Sequence, residues 1–187
     1  PATERTEVRV AFDDGALYVG ARMFDSEPGR IVARLGRRDN ESSSDAVMVS
    51  IDAYHDHRTA FHFQVNPLGV KTDAMTSDDH SEYDLSWDPV WEAATQRDSL
   101  GWTAEFRIPL SQLRFSGDGA QVWGFQVGRY VHRNEETSRW AYSAQTDQGY
   151  ASYFGHLLGI SGLPRPARLE ILPYTTAREE RLAYGSA

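Results

Sequence analysis

The chain contains 187 residues, of which 40% are hydrophobic and 12% aromatic, and these values are typical of one globular domain. Its net charge of −8 argues against a nucleic-acid partner, because nucleic acid is itself anionic. The chain has no cysteine, which excludes disulfides and thiol catalysis. No apolar run reaches the ~18 residues of a spanning helix, so we predict no direct membrane insertion.

Apolar and polar residues alternate with a period of two in most segments, which predicts β-strands. The first two strands, 8–12 and 17–24, form a hairpin in which Gly15 takes the positive φ that a tight turn requires. A short helical turn is predicted at 28–35, with Asp25 or Ser26 as its cap. Strands then follow at 47–51, 61–66 and 71–75.

The second half of the chain begins with a long acidic and aromatic loop at 76–89. Strands are predicted at 91–95, 102–108 and 122–131, a helical turn at 109–113, and later candidates around Trp140, at 154–158 and at 169–174. This spacing predicts an all-β fold, a β-sandwich or jelly roll of about ten antiparallel strands with one or two short helical turns. Trp102 and Trp123, which lie in alternating segments, are predicted to be core residues.

Hydrogen-bonding side chains follow one face of two predicted strands. Gln64 and Asn66 alternate with apolar residues, and Gln126 and Tyr130 share one face of 122–131. Amides donate and accept hydrogen bonds, as sugar hydroxyls require. The pattern therefore predicts a saccharide-binding face, and a solvated outer face without a ligand is the alternative.

Several aromatic residues outside the alternating stripes are candidates for stacking on sugar rings. Trp87 lies in the acidic loop beside Asp88, and Trp140 and Tyr150 follow later in the chain. We predict that these four residues contribute to the saccharide site, with packing as the alternative for each ring.

The acidic loop could hold Ca²⁺ through its carboxylates, but its spacing fits no EF-hand, and a solvated loop is the alternative. His55 and His57 have the only metal-like histidine spacing and are interpreted as solvated, so no metal ligands are assigned. No acid pair, nucleophile elbow or phosphate loop stands out, so we predict no enzymatic activity.

Segments 6–14, 44–52 and 101–109 resemble, in this order, family 9 carbohydrate-binding modules. Segments 65–70 and 87–93 are similar to a bacterial subgroup in which the module precedes an uncharacterised predicted β-barrel region. The resemblance implies a sandwich that grips a sugar chain end between two aromatic walls, with a structural calcium ion nearby.

The resemblance also implies roles for particular positions. Asn66 matches a sugar-binding asparagine, whereas Gln64 stands where an arginine is usual and Met48 where a glutamate contacts sugar. Ser42 occupies the place of one aromatic wall, and Tyr150 corresponds to the second wall.

We therefore expect residues 1–161 to form a non-catalytic carbohydrate-binding module, and residues 162–187 to be a linker and the start of a truncated downstream region. The expected context is a larger exported protein, periplasmic, outer-membrane-associated or extracellular, linked to carbohydrate catabolism. One alternative is an interaction module that docks on its own downstream β-barrel. Others are a glycosidase and a haem-binding sandwich with ligands from among Met23, Met48, Met75 and His62.

Overall fold

The computed structural model describes residues 2–40, 43–80, 82–116, 119–144 and 149–164, which form ten strands and four short 3₁₀ turns. The strands are β1 (Thr6–Phe12), β2 (Ala16–Phe24), β3 (Ala46–Asp52), β4 (Ala60–Val65), β5 (Lys71–Thr76), β6 (Glu92–Asp98), β7 (Gly101–Pro109), β8 (Gln121–Val131), β9 (Glu136–Arg139) and β10 (Gly155–Ile160). The 3₁₀ turns are Pro28–Arg30, Leu110–Gln112, His132–Asn134 and Ala151–Tyr153.

The strands form two antiparallel sheets that pack face to face. The first sheet has the order β1-β2-β7-β6 and the second the order β10-β8-β3-β4-β5, with β9 paired to the edge of β8 beyond β10. Alternate residues of both sheets point inward, so the apolar side chains of each strand meet those of the opposite sheet. This arrangement confirms the predicted all-β sandwich.

One hydrophobic core lies between the sheets. Trp102 of β7 and Trp123 of β8 are fully buried in it, as their alternating segments predicted. The apolar residues of β3 and β4 complete it from the six-stranded sheet. The polar alternates of the same strands therefore point away from the core, onto the outer face of that sheet.

The first hairpin is correct, but its turn differs from the prediction. Gly15 does not have a positive φ. Instead, Asp13 closes the turn, because its Oδ1 accepts hydrogen bonds from the N–H groups of Gly15 and Ala16, both at 2.8 Å. The turn therefore depends on the aspartate acceptor, and it does not require the conformational freedom of glycine.

Two other elements differ from the prediction, and one predicted strand is not tested. The helical turn at 28–35 is limited to Pro28–Arg30, and its cap position is Glu27, not Asp25 or Ser26. Strand β9 was not predicted, because its sequence Glu-Thr-Ser-Arg has no apolar alternation. The candidate strand at 169–174 lies outside the described residues.

Charged side chains enter the sandwich at the open end of β8. Arg129 is 2% exposed and donates to the backbone oxygens of Phe24 and Arg5 at 2.7 and 3.1 Å. Its partner carboxylate is Asp25, which also accepts a 2.7 Å hydrogen bond from Arg133.

Among the described residues, no helix is long and apolar enough to span a membrane.

Candidate functional site

The outer face of the six-stranded sheet carries an open groove of about 490 Å³, here called the outer-face groove. Residues of β3, β4, β5, β8 and β9 form its floor, and Tyr83 and His132 approach from the neighbouring segments. Of the predicted site residues, the groove is lined by Gln64, Asn66, Gln126 and Tyr130.

Strand register explains where the floor lies. Met48 of β3 pairs with Gln64 of β4 and with Gly128 of β8. Gln64 pairs in turn with Thr72 of β5, and Gly128 with Arg139 of β9. Directly paired residues share one face of a sheet, so these five side-chain positions form one row across the groove.

Two small residues keep this part of the sheet open. Gly128 has no side chain, and a Cβ added there would find Met48 Cε at 3.8 Å and no closer atom outside its chain neighbours. Ala46, which pairs with Tyr130, contributes only a methyl group.

Gln64 presents the best hydrogen-bonding group for a ligand. Its side chain is half-buried on the groove floor, and no described residue forms a hydrogen bond with its amide. An amide in this position keeps both its donors and its acceptor for a bound molecule. Thr72, beside it in the row, adds a half-buried hydroxyl.

Asn66, by contrast, uses its side-chain amide in hydrogen bonds within the protein. Its Oδ1 accepts hydrogen bonds from the N–H groups of Leu68 and Val70 at 2.9 and 3.0 Å, and its Nδ2 donates to the backbone oxygen of Arg34 at 2.8 Å. The residue is 4% exposed. Asn66 therefore closes the β4–β5 turn, and it lines the groove without a spare polar group on its oxygen side.

Gln126 is also used internally. Its Nε2 donates to the backbone oxygen of Ala141 at 2.8 Å, and its Oε1 accepts from the N–H of Ala141 at 2.9 Å. This pair of bonds anchors the segment after β9 to the sheet, and Gln126 is only 3% exposed. The alternation predicted its face correctly, whereas the segment that covers it is remote in sequence.

The aromatic side chains at the groove are not the ones that the sequence singled out, with the exception of Tyr130. Tyr83, which is 43% exposed, lines the groove from the acidic loop. Tyr150 lies behind it, 7% exposed, with its hydroxyl 2.8 Å from that of Tyr83 and its ring beside His62. Sequence analysis missed Tyr83 because no periodic pattern marks a loop residue.

Trp87, Asp88 and Trp140 lie away from the groove. The Trp87 ring packs on Phe61 at 4.8 Å between centroids, and so it faces the core side of the sheet. Asp88 is exposed and forms an ion pair with Arg38. Trp140 is 62% exposed and borders a second depression beside β1. Of the eight predicted residues, four therefore line the groove and four lie elsewhere.

Charge in the groove is mixed. Asp45 Oδ2 and His132 Nδ1 are buried and have no hydrogen-bond partner among the described residues. Burial raises the pKa of the Asp45 carboxyl, although the backbone N–H of His132 opposes this shift. Arg139 is exposed, and the structure pairs it with no carboxylate in the described part of the chain. Thr137 and Arg139 were missed with β9.

One cluster of carboxylates can be compared with the calcium site that the family resemblance implies. Oxygen atoms of Asp39, Asp73 and Asp88 lie within 4.8 Å of one another. The guanidinium of Arg38 already occupies this cluster, donating to both oxygens of Asp73 at 2.9 Å and pairing with Asp88 at 2.7 Å. A divalent cation would have to displace that charge, so these residues do not fit a calcium site.

The candidate haem ligands do not share one site, because Met48 lines the outer-face groove and Met75 packs against the core. Both ring nitrogens of His62 have hydrogen-bond partners, Ser50 at 2.8 Å and Thr76 at 3.0 Å. Met23 is fully buried in the opposite sheet. An axial ligand needs an available lone pair on an open face.

Comparison with known proteins extends these observations. Residues 2–158 match the family described as carbohydrate family 9 binding domain-like. A search of curated proteins found no significant match.

Solved structures share the sandwich. A family 9 carbohydrate-binding module from Caldicellulosiruptor kristjanssonii in complex with cellotriose has a TM-score of 0.60 at 18% identity, with 94% of this chain and 83% of that one covered. A module of the same family and organism in complex with glucose has a TM-score of 0.61 at 19% identity, covering 89% and 83%. A protein from Bacteroides uniformis has a TM-score of 0.68 at 11% identity, covering 84% and 79%. At these identities the likeness shows the fold.

Proposed function

Because this chain belongs to the carbohydrate family 9 binding domain-like family, we propose that it is a non-catalytic module that binds a saccharide in the outer-face groove. The observation that carries the proposal is the unengaged amide of Gln64 on the floor of an open groove. The volume of about 490 Å³ falls in the range of roughly 300–1,000 Å³ that small-molecule sites occupy.

The groove supplies both kinds of contact that a sugar requires. Gln64 and Thr72 offer hydrogen bonds to ring hydroxyls from the floor. Tyr83 and Tyr130 offer partly exposed aromatic surface for the apolar C–H face of a sugar ring. This arrangement supports a binding mode in which the sugar accepts and donates hydrogen bonds at the groove floor and stacks on the tyrosine rings at its side.

The carboxylates support a binding role over a hydrolytic one. Glycoside hydrolysis usually needs two carboxyl groups flanking the scissile bond. In the described part of the chain, Asp45 is the one carboxylate that lines the groove.

Calorimetry with glucose, cellotriose and a wider glycan panel tests the proposal, since the two Caldicellulosiruptor structures contain these two sugars. We expect a saccharide to bind, and we expect Gln64→Ala to weaken the affinity about tenfold, as loss of one good hydrogen bond implies. Gln96→Ala is the matched control, because Gln96 is an exposed amide on the other sheet.

A blocking variant gives a second arm. Gly128→Val places a branched side chain over the groove floor, where a Cβ has Met48 Cε and the backbone oxygen of Ser138 at 3.8 and 3.9 Å as its nearest neighbours, and should abolish binding. Gly20→Val, on the other sheet, is its control. Absence of heat with every sugar, at protein concentrations that detect millimolar affinity, would refute the proposed function.

We also propose that the module works within a larger exported protein connected with carbohydrate catabolism. The resemblance of segments 65–70 and 87–93 to modules that precede a predicted β-barrel supports this context. Protease accessibility of the full-length protein on intact cells tests it. The same assay is repeated after the outer membrane alone has been permeabilised, and cleavage only after the inner membrane is also broken would count against export.

A further inference from the structure

Three histidines meet at the end of the six-stranded sheet that lies away from the outer-face groove. His55 and His57 belong to the loop after β3, and His156 lies on β10. Their ring centroids are separated by 4.4 Å (His55–His57), 5.0 Å (His55–His156) and 6.4 Å (His57–His156). At about 3.3 Å per residue, the end of β3 at Asp52 is about 20 Å from Ala46 in the groove.

Strand pairing explains why the three rings meet. Asp52 ends β3 and pairs with Gly124 of β8, which pairs in turn with His156 of β10. Asp52 is fully buried, and its carboxylate accepts the backbone N–H of His57 at 2.8 Å. The loop is thereby tied down beside β10, and its two imidazoles are held against the third.

His55 has an unused ring nitrogen. Its Nε2 is buried and has no hydrogen-bond partner among the described residues. A buried imidazole nitrogen without a partner is unusual, because buried polar atoms are nearly always satisfied. His57 and His156 are exposed, so their rings can rotate toward the same point without losing core packing.

We propose that His55, His57 and His156 form a binding site for a divalent transition-metal ion such as Zn²⁺, Ni²⁺ or Cu²⁺. Imidazole nitrogens are preferred ligands of these ions. At a metal–nitrogen distance of about 2.0 Å, ring centroids bound to one ion lie roughly 4.5–6 Å apart, close to the observed separations. The fourth position faces solvent and is open to water or to an exogenous ligand.

Rotation of the two exposed rings completes the site, because the nitrogens do not lie within 4.8 Å of one another in the present rotamers. The ligand set is nitrogen only. Asp52 is occupied by backbone N–H groups, and Asp56 accepts those of Arg58 and Thr59. This chemistry favours the borderline transition metals over Ca²⁺ or Mg²⁺.

Calorimetry of the untagged, chelator-treated chain with ZnCl₂ and NiCl₂ tests the proposal. We expect one equivalent to bind with micromolar affinity and CaCl₂ to give no competing signal. His156→Ala and His57→Asn should each weaken binding at least tenfold. Asparagine is chosen at position 57 because the backbone φ there is +58°. His80→Ala, an exposed histidine in another loop, is the matched control and should bind as wild type.

A spectroscopic experiment distinguishes this site from metal binding elsewhere on the chain. With Cu²⁺, the electron paramagnetic resonance spectrum should show nitrogen couplings from imidazole that are lost in the triple variant His55→Asn, His57→Asn, His156→Ala. Far-UV circular dichroism checks that each variant is folded. Wild-type affinity retained in the triple variant, or no binding of any of these metals to the wild-type chain, would overturn the proposal.

Discussion

At the scale of single residues, His62 shows how a polar side chain can belong to the outer face and still be sealed. It is 1% exposed, and Ser50 and Thr76 hold its two nitrogens. The rings of Tyr83 and Tyr150 cover it. Burial lowers the pKa of His62 to about 3.

This pKa predicts a pH-dependent loss of stability. Below the ordinary histidine pKa of about 6.5, the unfolded chain binds a proton that the folded chain refuses, so stability falls as the pH drops from about 6.5 toward 3. Between pH 7.5 and 5.0, the free energy of unfolding of the wild type should fall by about 2 kcal/mol because of His62. The variant His62→Gln should not show this fall.

Urea unfolding at the two pH values measures this difference, with His80→Gln as the control at an exposed histidine. The carboxyls of Asp45 and Asp52, whose pKa values burial raises, act in the opposite sense, but they contribute equally to both chains. The same pH-dependent loss in wild type and His62→Gln would contradict the assignment.

The buried charges at the open end of β8 give a second residue-scale prediction. Asp25→Asn removes the carboxylate that forms the ion pair with Arg129, whose guanidinium is 2% exposed and then keeps uncharged acceptors as its hydrogen-bond partners. We expect the free energy of unfolding to fall by about 3 kcal/mol.

Asp78→Asn is the matched control, because the Arg58–Asp78 pair is 65% exposed on both sides and should cost less than about 1 kcal/mol. Both variants keep the side-chain shape, so chemical denaturation compares charge alone. Equal losses in the two variants would show that the buried pair is no more important than the exposed one.

At the scale of elements, the β2–β7 pairing depends on one glycine. Gly101 begins β7 with a φ of +138° and pairs with Phe24. A Cβ there would lie 2.0 Å from the backbone oxygen of Met23, which cannot move without breaking β2. Gly101→Ala should therefore lower the free energy of unfolding by more than about 2 kcal/mol.

Gly20→Ala is the comparison, since Gly20 lies in the middle of β2 with open space at its Cβ position and no positive φ. We expect its effect to stay within about 1 kcal/mol in either direction. The urea unfolding midpoints of the two variants test this prediction. A midpoint of Gly101→Ala close to that of the wild type would mean that the β6–β7 turn can rearrange around the added side chain.

At the scale of the whole molecule, both sheets share one core, in which Trp102 comes from the four-stranded sheet and Trp123 from the six-stranded sheet. Neither sheet can bury its apolar face without the other. We therefore expect a single cooperative unfolding transition, with tryptophan fluorescence and far-UV circular dichroism following the same urea curve. Two separated transitions would mean that one sheet keeps its structure alone.

The sequence by itself determined the strands that show apolar alternation, the face on which their side chains lie and the family to which the segments belong. These properties are local: period-two geometry assigns Gln64 and Asn66 to one face and Phe63 to the other, whatever surrounds them. The strand without apolar alternation, β9, was missed for the same reason.

Tertiary structure decided which part of the polar face remains open. The β4–β5 turn engages Asn66, the segment after β9 engages Gln126, and Tyr83 with Tyr150 seals His62, so that Gln64 is left as the unengaged amide. Trp87 turns to the core because Phe61 offers it apolar contact there. Whether a polar group meets water depends on turns and on segments packed over the sheet, and the period-two pattern contains no information about either.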